Sequence, residues 1–215
     1  TTSIAGDGAT IFSGNVSTSL FNPGDNLVAV EIHQTTATSG DLFFDMELIG
    51  VNDVAISRGP YLQMGGQTGI TIRWRTDIPT NSRVTYGTTL GTYPNTVNDA
   101  TVTTEHIVNL SGLSPDTKYF YTVGSSSAVL QSGAPNYFVT VPPATANRKM
   151  RIAAFGDCGF FSTNQTFTKQ AYMSFLAARG ISEIDALIMM GDNIYETGTD
   201  AEWQASFFDP YKDVF

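Results

Sequence analysis

The chain has 215 residues, of which 41% are hydrophobic and 14% charged, and its formal net charge is −9. This composition is typical of a folded globular protein of one or two domains and excludes a disordered chain. The net negative charge argues against a basic surface for binding nucleic acid. No apolar run in the sequence is long enough to cross a membrane. We therefore expect no nucleic-acid partner and no membrane span.

The first 52 residues contain two stretches in which apolar and polar residues alternate, at 27–34 and 41–49. Such alternation predicts β-strands. The segment resembles the closing strands of a galactose-binding-like jelly roll, although two strands are too few to close one. We therefore predict a partial β segment at residues 1–52. His33 is read either as a sugar contact or as an ordinary strand histidine.

Residues 54–142 carry short alternating stretches separated by turn signals, which favour a β-sandwich. In one of them, alternate residues from 70 to 74 place two isoleucines and a tryptophan on the same face. The sequence Leu-Ser-Pro-Asp-Thr-Lys-Tyr at 113–119 resembles the tyrosine corner of fibronectin type III domains, in which the hydroxyl is tied to nearby backbone. We predict a fibronectin type III-like domain, with His106 as a structural residue.

Residues 143–148 form a predicted linker, because two consecutive prolines end the β pattern and favour an extended connection. The pattern then changes to strand, helix and strand within residues 149–215. The predicted strands are 150–155 and 186–190, and the predicted helix is 164–179, with Ser162 or Thr163 as the N-cap and Gly180 as the stop. Strands joined by a crossover helix are expected to lie parallel. We predict the beginning of an α/β domain.

An aspartate follows each of these two strands, at Asp157 and Asp192, and each is flanked by glycine. Parallel neighbours lie about 4.8 Å apart, so both carboxylates are expected at one edge of the sheet, where α/β proteins bind ligands. Two close carboxylates repel each other, and a hard cation with oxygen ligands removes that repulsion. The pattern favours a metal site. The alternative is that the two aspartates cap turns or helices.

Cys158 is the single cysteine of the sequence, so no internal disulfide can form. It follows Asp157 directly, where a thiolate ligand or nucleophile is conceivable. Neither a histidine nor a second cysteine lies near it in the sequence. We therefore predict a small packed side chain at this position.

Four sequence patterns resemble one family. Asp-x-Gly at 157–159 and Gly-Asp-x-x-Tyr at 191–195 are similar to the first two metal motifs of the purple acid phosphatases, which are calcineurin-like metallophosphoesterases. The segment from Glu202 to Tyr211 is similar to the one that follows the second motif in that family. Gly-Pro-Tyr-Leu-Gln at 59–63 resembles the start of the accessory domain that precedes the phosphatase domain in its larger members.

The resemblance implies a dinuclear metal centre. In it Asp157 would bind the first metal, Asp192 would bridge both metals, and Tyr195 would bind the first as tyrosinate, which indicates ferric iron. The second metal would be Zn²⁺, Mn²⁺ or Fe²⁺. Asn193 and Glu196 are close in sequence, and neither is predicted as a ligand.

Half of the family pattern does not follow in this sequence. The Gly-Asn-His element and two later histidine motifs are missing, and both histidines precede Asp157. We therefore predict an internal segment of a longer protein, with half of a dinuclear site and no catalytic acid or base in this span. The resemblance implies that the parent protein hydrolyses phosphate monoesters. A phosphodiester or a nucleotide is an alternative substrate.

The rival prediction is a protein without catalytic activity. The β-modules would then serve as an extracellular binding, adhesive or assembly unit, with carbohydrate or cell-surface components as candidate partners. Incomplete sheet edges would favour strand addition from a neighbour. A secreted or cell-surface location is expected under both predictions.

Overall fold

The computed structural model of the protein describes residue 27 and residues 54–160 and 162–214. The partial jelly-roll segment predicted at 1–52, including His33, lies outside the described residues apart from Leu27. The described part from residue 54 onward belongs to one compact unit, Asn52–Phe215.

Six antiparallel strands build one curled sheet in the first part of this unit. They are β1 (Ile56–Gln63), β2 (Gly69–Gly87), β3 (Asn95–Ser111), β4 (Lys118–Gly124), β5 (Val129–Gln131) and β6 (Tyr137–Val139). The long strand β2 pairs with β3 along most of its length, with β1 at its beginning and with β4 at its end. The sheet therefore folds over itself and encloses a core, as the predicted β-sandwich requires.

The core of the sandwich forms because alternate residues of β2 point inward. Ile72 and Trp74 are almost fully buried, and Val108 from β3 and Tyr121 and Val123 from β4 belong to the same core. The predicted tyrosine corner is present, since the Tyr119 hydroxyl accepts a hydrogen bond from the backbone N–H of Ser114 at 3.0 Å. The fibronectin type III-like fold predicted for this region is confirmed.

His106 lies inside this core, as the prediction of a structural role requires. Its ring stacks on Trp74 with centroids 4.6 Å apart. Its two nitrogens lie 2.9 Å from Thr76 Oγ1 and 2.8 Å from Ser82 Oγ. Burial lowers the pKa of His106, because a charged imidazolium loses its hydration there.

This burial predicts a stability that falls in acid. The pKa of His106 is lower in the folded protein than in the unfolded chain, where it is about 6.5. The contribution is therefore fully present above about pH 6.5 and is lost as the pH falls towards the folded pKa. We expect a lower urea midpoint at pH 5.5 than at pH 7.5, and a smaller difference in His106→Gln. A pH difference in His106→Gln as large as in the wild type would contradict the assignment to His106.

The second part of the unit is a parallel strand–helix–strand motif. It comprises β7 (Ile152–Phe155), α1 (Thr163–Ala178) and β8 (Ala186–Met189). The two strands are parallel, with Ile152 opposite Ala186 and Phe155 opposite Met189. Ser162 is the N-cap of α1 and accepts from the N–H of Gln165 at 3.3 Å, and Gly180 follows the helix with a φ of 64°. The predicted elements are confirmed within two residues.

Helix α1 leaves its apolar face largely exposed. Phe167 is 61% exposed and Phe175 is 48% exposed. Gln165 is the buried residue of this helix. No sheet or helix among the described residues covers that apolar face of α1. In complete α/β domains, by contrast, both faces of a parallel sheet are normally covered.

A short helical segment follows β8. It begins as α2 (Asp200–Trp203), widens into a π-helical turn (Gln204–Phe208) and ends as α3 (Asp209–Tyr211). Phe207 and Tyr211 are buried beside Cys158, so this segment packs under the loop that follows β7. None of the helices described is long and apolar enough to span a membrane.

Candidate metal centre

The two aspartates occupy equivalent places at the ends of the parallel strands. Both have left-handed backbone conformations, with φ of 50° at Asp157 and 47° at Asp192. Residues other than glycine rarely adopt this conformation, and aspartate is one of the few that tolerate it. Such unusual backbone geometry concentrates at functional sites. Each loop therefore turns sharply at its carboxylate.

Backbone contacts hold the two loops against each other. The N–H of Asp157 donates to the carbonyl of Gly191 at 3.3 Å, and the N–H of Tyr195 donates to the carbonyl of Gly159 at 3.4 Å. Gly159 is buried where a Cβ atom would overlap the carbonyl oxygen of Asn193. The close approach of the loops thus depends on glycine at this position.

The structure brings together all three residues predicted as metal ligands. The Tyr195 hydroxyl donates to Asp157 Oδ1 at 2.5 Å. Hydrogen bonding to Asp157 is the main cause that raises the pKa of Tyr195 above its usual value, with smaller contributions from burial and from a hydrogen bond to Asp192. Both carboxylates are exposed, so a solute can reach them.

The donor set suits a hard cation but does not complete a site. Two carboxylates and a phenol supply oxygen donors, which hard metals prefer. Within residues 54–160 and 162–214, no group of three or more histidine, cysteine, aspartate or glutamate side chains could hold a metal ion. The Oδ1 atom of Asn193 is buried and has no hydrogen-bond partner in the described part. The residues present therefore fit part of one metal site.

Cys158 faces the protein interior. It is buried with Phe207 and Tyr211, and its Sγ lies 4.0 Å from the carbonyl oxygen of Asn193. Burial is the main cause that raises the pKa of this thiol. The arrangement agrees with a packed side chain and offers no thiolate to the site.

A cavity of about 390 Å³ opens beside Asp157, between the end of β7 and helix α1. Phe160, Thr168 and Tyr172 contribute to its wall. Lys169 also lines it, although its ammonium group is already bonded to the carbonyl of Pro210 and paired with Asp213. The cavity provides room next to the carboxylate without a free cation among its described lining residues.

Sequence reasoning missed the residues that anchor the loop after Tyr195. Glu202 Oε2 accepts from the N–H of Thr199 and from Thr197 Oγ1, each at 2.8 Å, and its Oε1 accepts from the N–H of Glu196 at 3.2 Å. Thr199 in turn caps α2, which makes a capping box with Glu202. The capping-box spacing of Thr199 and Glu202 in the sequence was the signal that could have revealed this anchor.

The fold and the site together define a fibronectin type III-like β-sandwich that precedes a parallel α/β unit. Residues 58–140 match the family model of the purple acid phosphatase N-terminal domain. The match confirms the resemblance seen at residues 59–63 and 113–119. No curated protein matches the chain.

Solved structures with similar folds include phosphatases and isolated fibronectin domains. PhoD is 13% identical, with 74% of this chain and 34% of that chain covered, at a TM-score of 0.49. Purple acid phosphatase PPD1 from yellow lupin seeds is 15% identical, with 75% and 39% covered, at 0.42. A fibronectin type III domain of the human fibronectin type III domain containing protein 3 is 15% identical, with 48% and 98% covered, at 0.32. The chain thus spans little more than a third of either phosphatase.

Proposed function

We propose that this chain is part of a metal-dependent phosphatase that hydrolyses phosphate monoesters. The observation that carries the proposal is the meeting of Asp157, Asp192 and Tyr195 at the carboxyl ends of two adjacent parallel strands. The family of the preceding β-sandwich supports it independently of that geometry. The domain limits 54–142, 143–148 and 149–215 are part of the same proposal.

The proposed centre contains Fe³⁺ and a second ion, either Zn²⁺, Mn²⁺ or Fe²⁺. Two such ions would polarise the phosphoryl oxygens and supply a nucleophilic hydroxide near neutral pH. Asp157 and Tyr195 would hold the first ion through Oδ and Oη, and Asp192 would bridge the two. Asp157 Oδ1 accepts a hydrogen bond from the Tyr195 hydroxyl, so this contact orients the phenol beside the carboxylate with which it would share the first ion.

The three donors leave the acid and base of the reaction to residues elsewhere in the complete protein. A hard metal ion takes about six ligands. The described residues provide three candidate ligand residues for the proposed pair of ions. The net charge of −9 also means that a phosphate substrate would be attracted by the metals and not by the overall field. Secretion or cell-surface location, and a carbohydrate or cell-surface partner for the β-modules, stay predictions.

Metal analysis and a visible spectrum of the intact protein test this function. Stoichiometric iron with a second metal and a visible charge-transfer band is the expected result, together with hydrolysis of a phosphate monoester such as p-nitrophenyl phosphate. Protein without bound metal and without hydrolysis would favour the rival prediction of a binding or assembly module.

Tyr195→Phe is expected to remove the visible band while the protein stays folded. The substitution deletes one oxygen atom, and Tyr195 is partly exposed, so little packing is lost. The matched control is Tyr93→Phe, a partly exposed tyrosine in the sandwich, which should keep the full band. Absorbance per bound iron is the measurement, and an unchanged band in Tyr195→Phe would show that Tyr195 is not a ligand.

A further inference from the structure

We propose that the β-sandwich positions Tyr195 through a chain of contacts that runs from Arg58 and Arg75 to Asp200 and Glu202. The contacts themselves are independent of any metal. Their consequence for the metal centre rests on the function proposed above. All four are positioning residues, because each acts on Tyr195 through its neighbours.

The first step is a carboxylate held by two arginines of the sandwich. Arg75 binds Asp200 with two hydrogen bonds, from Nη1 to Oδ2 at 2.6 Å and from Nη2 to Oδ1 at 3.1 Å. Arg58 adds a third bond to Oδ1 at 3.0 Å and a fourth to the Asp200 carbonyl at 3.1 Å. We call Arg58, Arg75 and Asp200 the Asp200 cluster. Such two-pronged contacts fix orientation as well as distance.

The second step is the burial of Arg58, which makes the cluster more than a surface ion pair. Arg58 is 7% exposed, and its guanidinium lies 4.3 Å from the centre of the Phe208 ring. Its Nε donates to Gln204 Oε1 at 2.6 Å, and Tyr61 also contacts Phe208, with centroids 5.0 Å apart. A buried guanidinium that loses its carboxylate is costly, whereas exposed ion pairs contribute little. The sandwich therefore fixes the start of the α2 segment.

The third step links that segment to the loop at residues 196–199. Asp200 and Glu202 lie in the same helical turn, so fixing the first also fixes the second. Glu202 holds Glu196, Thr197 and Thr199 through the four hydrogen bonds to its carboxylate oxygens. These bonds hold the pKa of Glu202 at about 2, and the two arginines, Arg75 foremost, hold that of Asp200 at about 2. Both carboxylates are thus charged throughout mildly acidic conditions.

The last step reaches the candidate ligand. The anchored loop begins at the residue next to Tyr195, whose hydroxyl must lie within hydrogen-bond distance of Asp157. If residues 196–199 move, the Tyr195 ring moves with them, because backbone displacement carries its side chain. The β-sandwich accordingly acts on the geometry of the site at a distance, through one helical turn.

Other ion pairs join the two parts of the unit away from this loop. Lys118 pairs with Glu183 at 2.5 Å, and Arg148 joins Asp116 at 3.1 Å and Asp185 at 2.7 Å. Glu183 and Asp185 precede β8, at the opposite end of the strand from Asp192. The linker keeps the sandwich covalently attached when the Asp200 cluster is broken, and these pairs do not depend on the cluster. Positioning can therefore be separated from attachment.

The test is amide hydrogen exchange of residues 195–199 in the intact, metal-free protein. The variants are Asp200→Asn and Arg75→Gln, and the matched control is Arg83→Gln. Arg83 lies on the same strand β2 as Arg75 and bonds Asn98 within the sandwich. We expect exchange at Glu196 and Thr199 to accelerate at least tenfold in both cluster variants and to match wild type in the control. Equal exchange in all four proteins would overturn the proposal.

A second measurement uses the metal-loaded protein. The cluster variants are expected to shift the Tyr195 charge-transfer band and to lower kcat more than they raise KM, while Arg83→Gln leaves both unchanged. Faster exchange with an unmoved band would overturn the positioning of Tyr195. A wild-type protein that binds no iron would refute the proposed function, and the exchange result would still decide whether the sandwich controls this loop.

Discussion

Asp192→Asn is expected to abolish metal binding and phosphatase activity together. Asp192 lies at the end of β8 in a left-handed conformation and is the carboxylate proposed to bridge the two ions. An amide keeps the size of the side chain and one acceptor oxygen, but it replaces the other oxygen with an NH2 donor and removes the negative charge that offsets two cations. Loss of a second-sphere partner alone costs about 10–100-fold, so loss of a bridging ligand should exceed about 100-fold in activity. Metal content by mass spectrometry and initial rates are the measurements.

Asp116→Asn is the matched control for this change. Asp116 also has a left-handed conformation, with a φ of 49°, and lies in the sandwich away from the site. Asparagine tolerates this conformation as well as aspartate does, so neither variant should strain the backbone. Asp116→Asn should keep full metal content and activity. Full activity with both metals in Asp192→Asn would refute the assignment of Asp192 as a bridging ligand.

Gly159→Ala is expected to separate the two loops of the site. A methyl group at this position would overlap the carbonyl oxygen of Asn193, which is backbone and cannot rotate away. The loops must move apart, which breaks the contact between Asp157 and Tyr195. We expect destabilisation of about 1–3 kcal/mol, typical of overpacking, and a loss of metal affinity. Urea unfolding and iron titration measure the two effects.

Gly65→Ala provides the comparison for this glycine. Gly65 has open space where the methyl group would lie, so stability and iron affinity should stay at the wild-type level. Iron affinity that is equal in Gly159→Ala and wild type would show that the close approach of the loops is not required.

Most local structure could be predicted from the sequence because local signals determine it. Alternation gave the strands of the sandwich, and helical spacing with Ser162 and Gly180 gave α1. The tyrosine corner followed from residues 113–119, and it is present at Tyr119. These features depend on neighbours within a few residues, so the amino-acid sequence is sufficient to predict them.

The Asp200 cluster could not be predicted in the same way. Arg58 and Asp200 are 142 positions apart, and Arg75 and Asp200 are 125 apart. Neither arginine differs in the sequence from an ordinary exposed strand residue. The exposure of Phe167 and Phe175 on α1 could not be predicted for a related reason, since periodicity shows which side of a helix is apolar and not what covers it. Both outcomes depend on tertiary packing.

The candidate metal site could be predicted from the sequence only in part. Parallel strands placed Asp157 and Asp192 at one edge, as their order in the sequence predicts. Tyr195 was assigned by family resemblance, and the structure places its hydroxyl on Asp157. Whether these residues bind metal stays a prediction until the experiments above are done.

The burial of Arg58 has a consequence for protein engineering. A chimera that joins this α/β unit to the sandwich of another protein would leave Asp200 without its two guanidinium partners. Transplanting the sandwich into a different host would likewise separate Arg58 from Asp200, Gln204 and Phe208, its three partners across the boundary. Positions 58, 75 and 200 must therefore be exchanged together, and the boundary near residue 145 is a poor place to cut and rejoin.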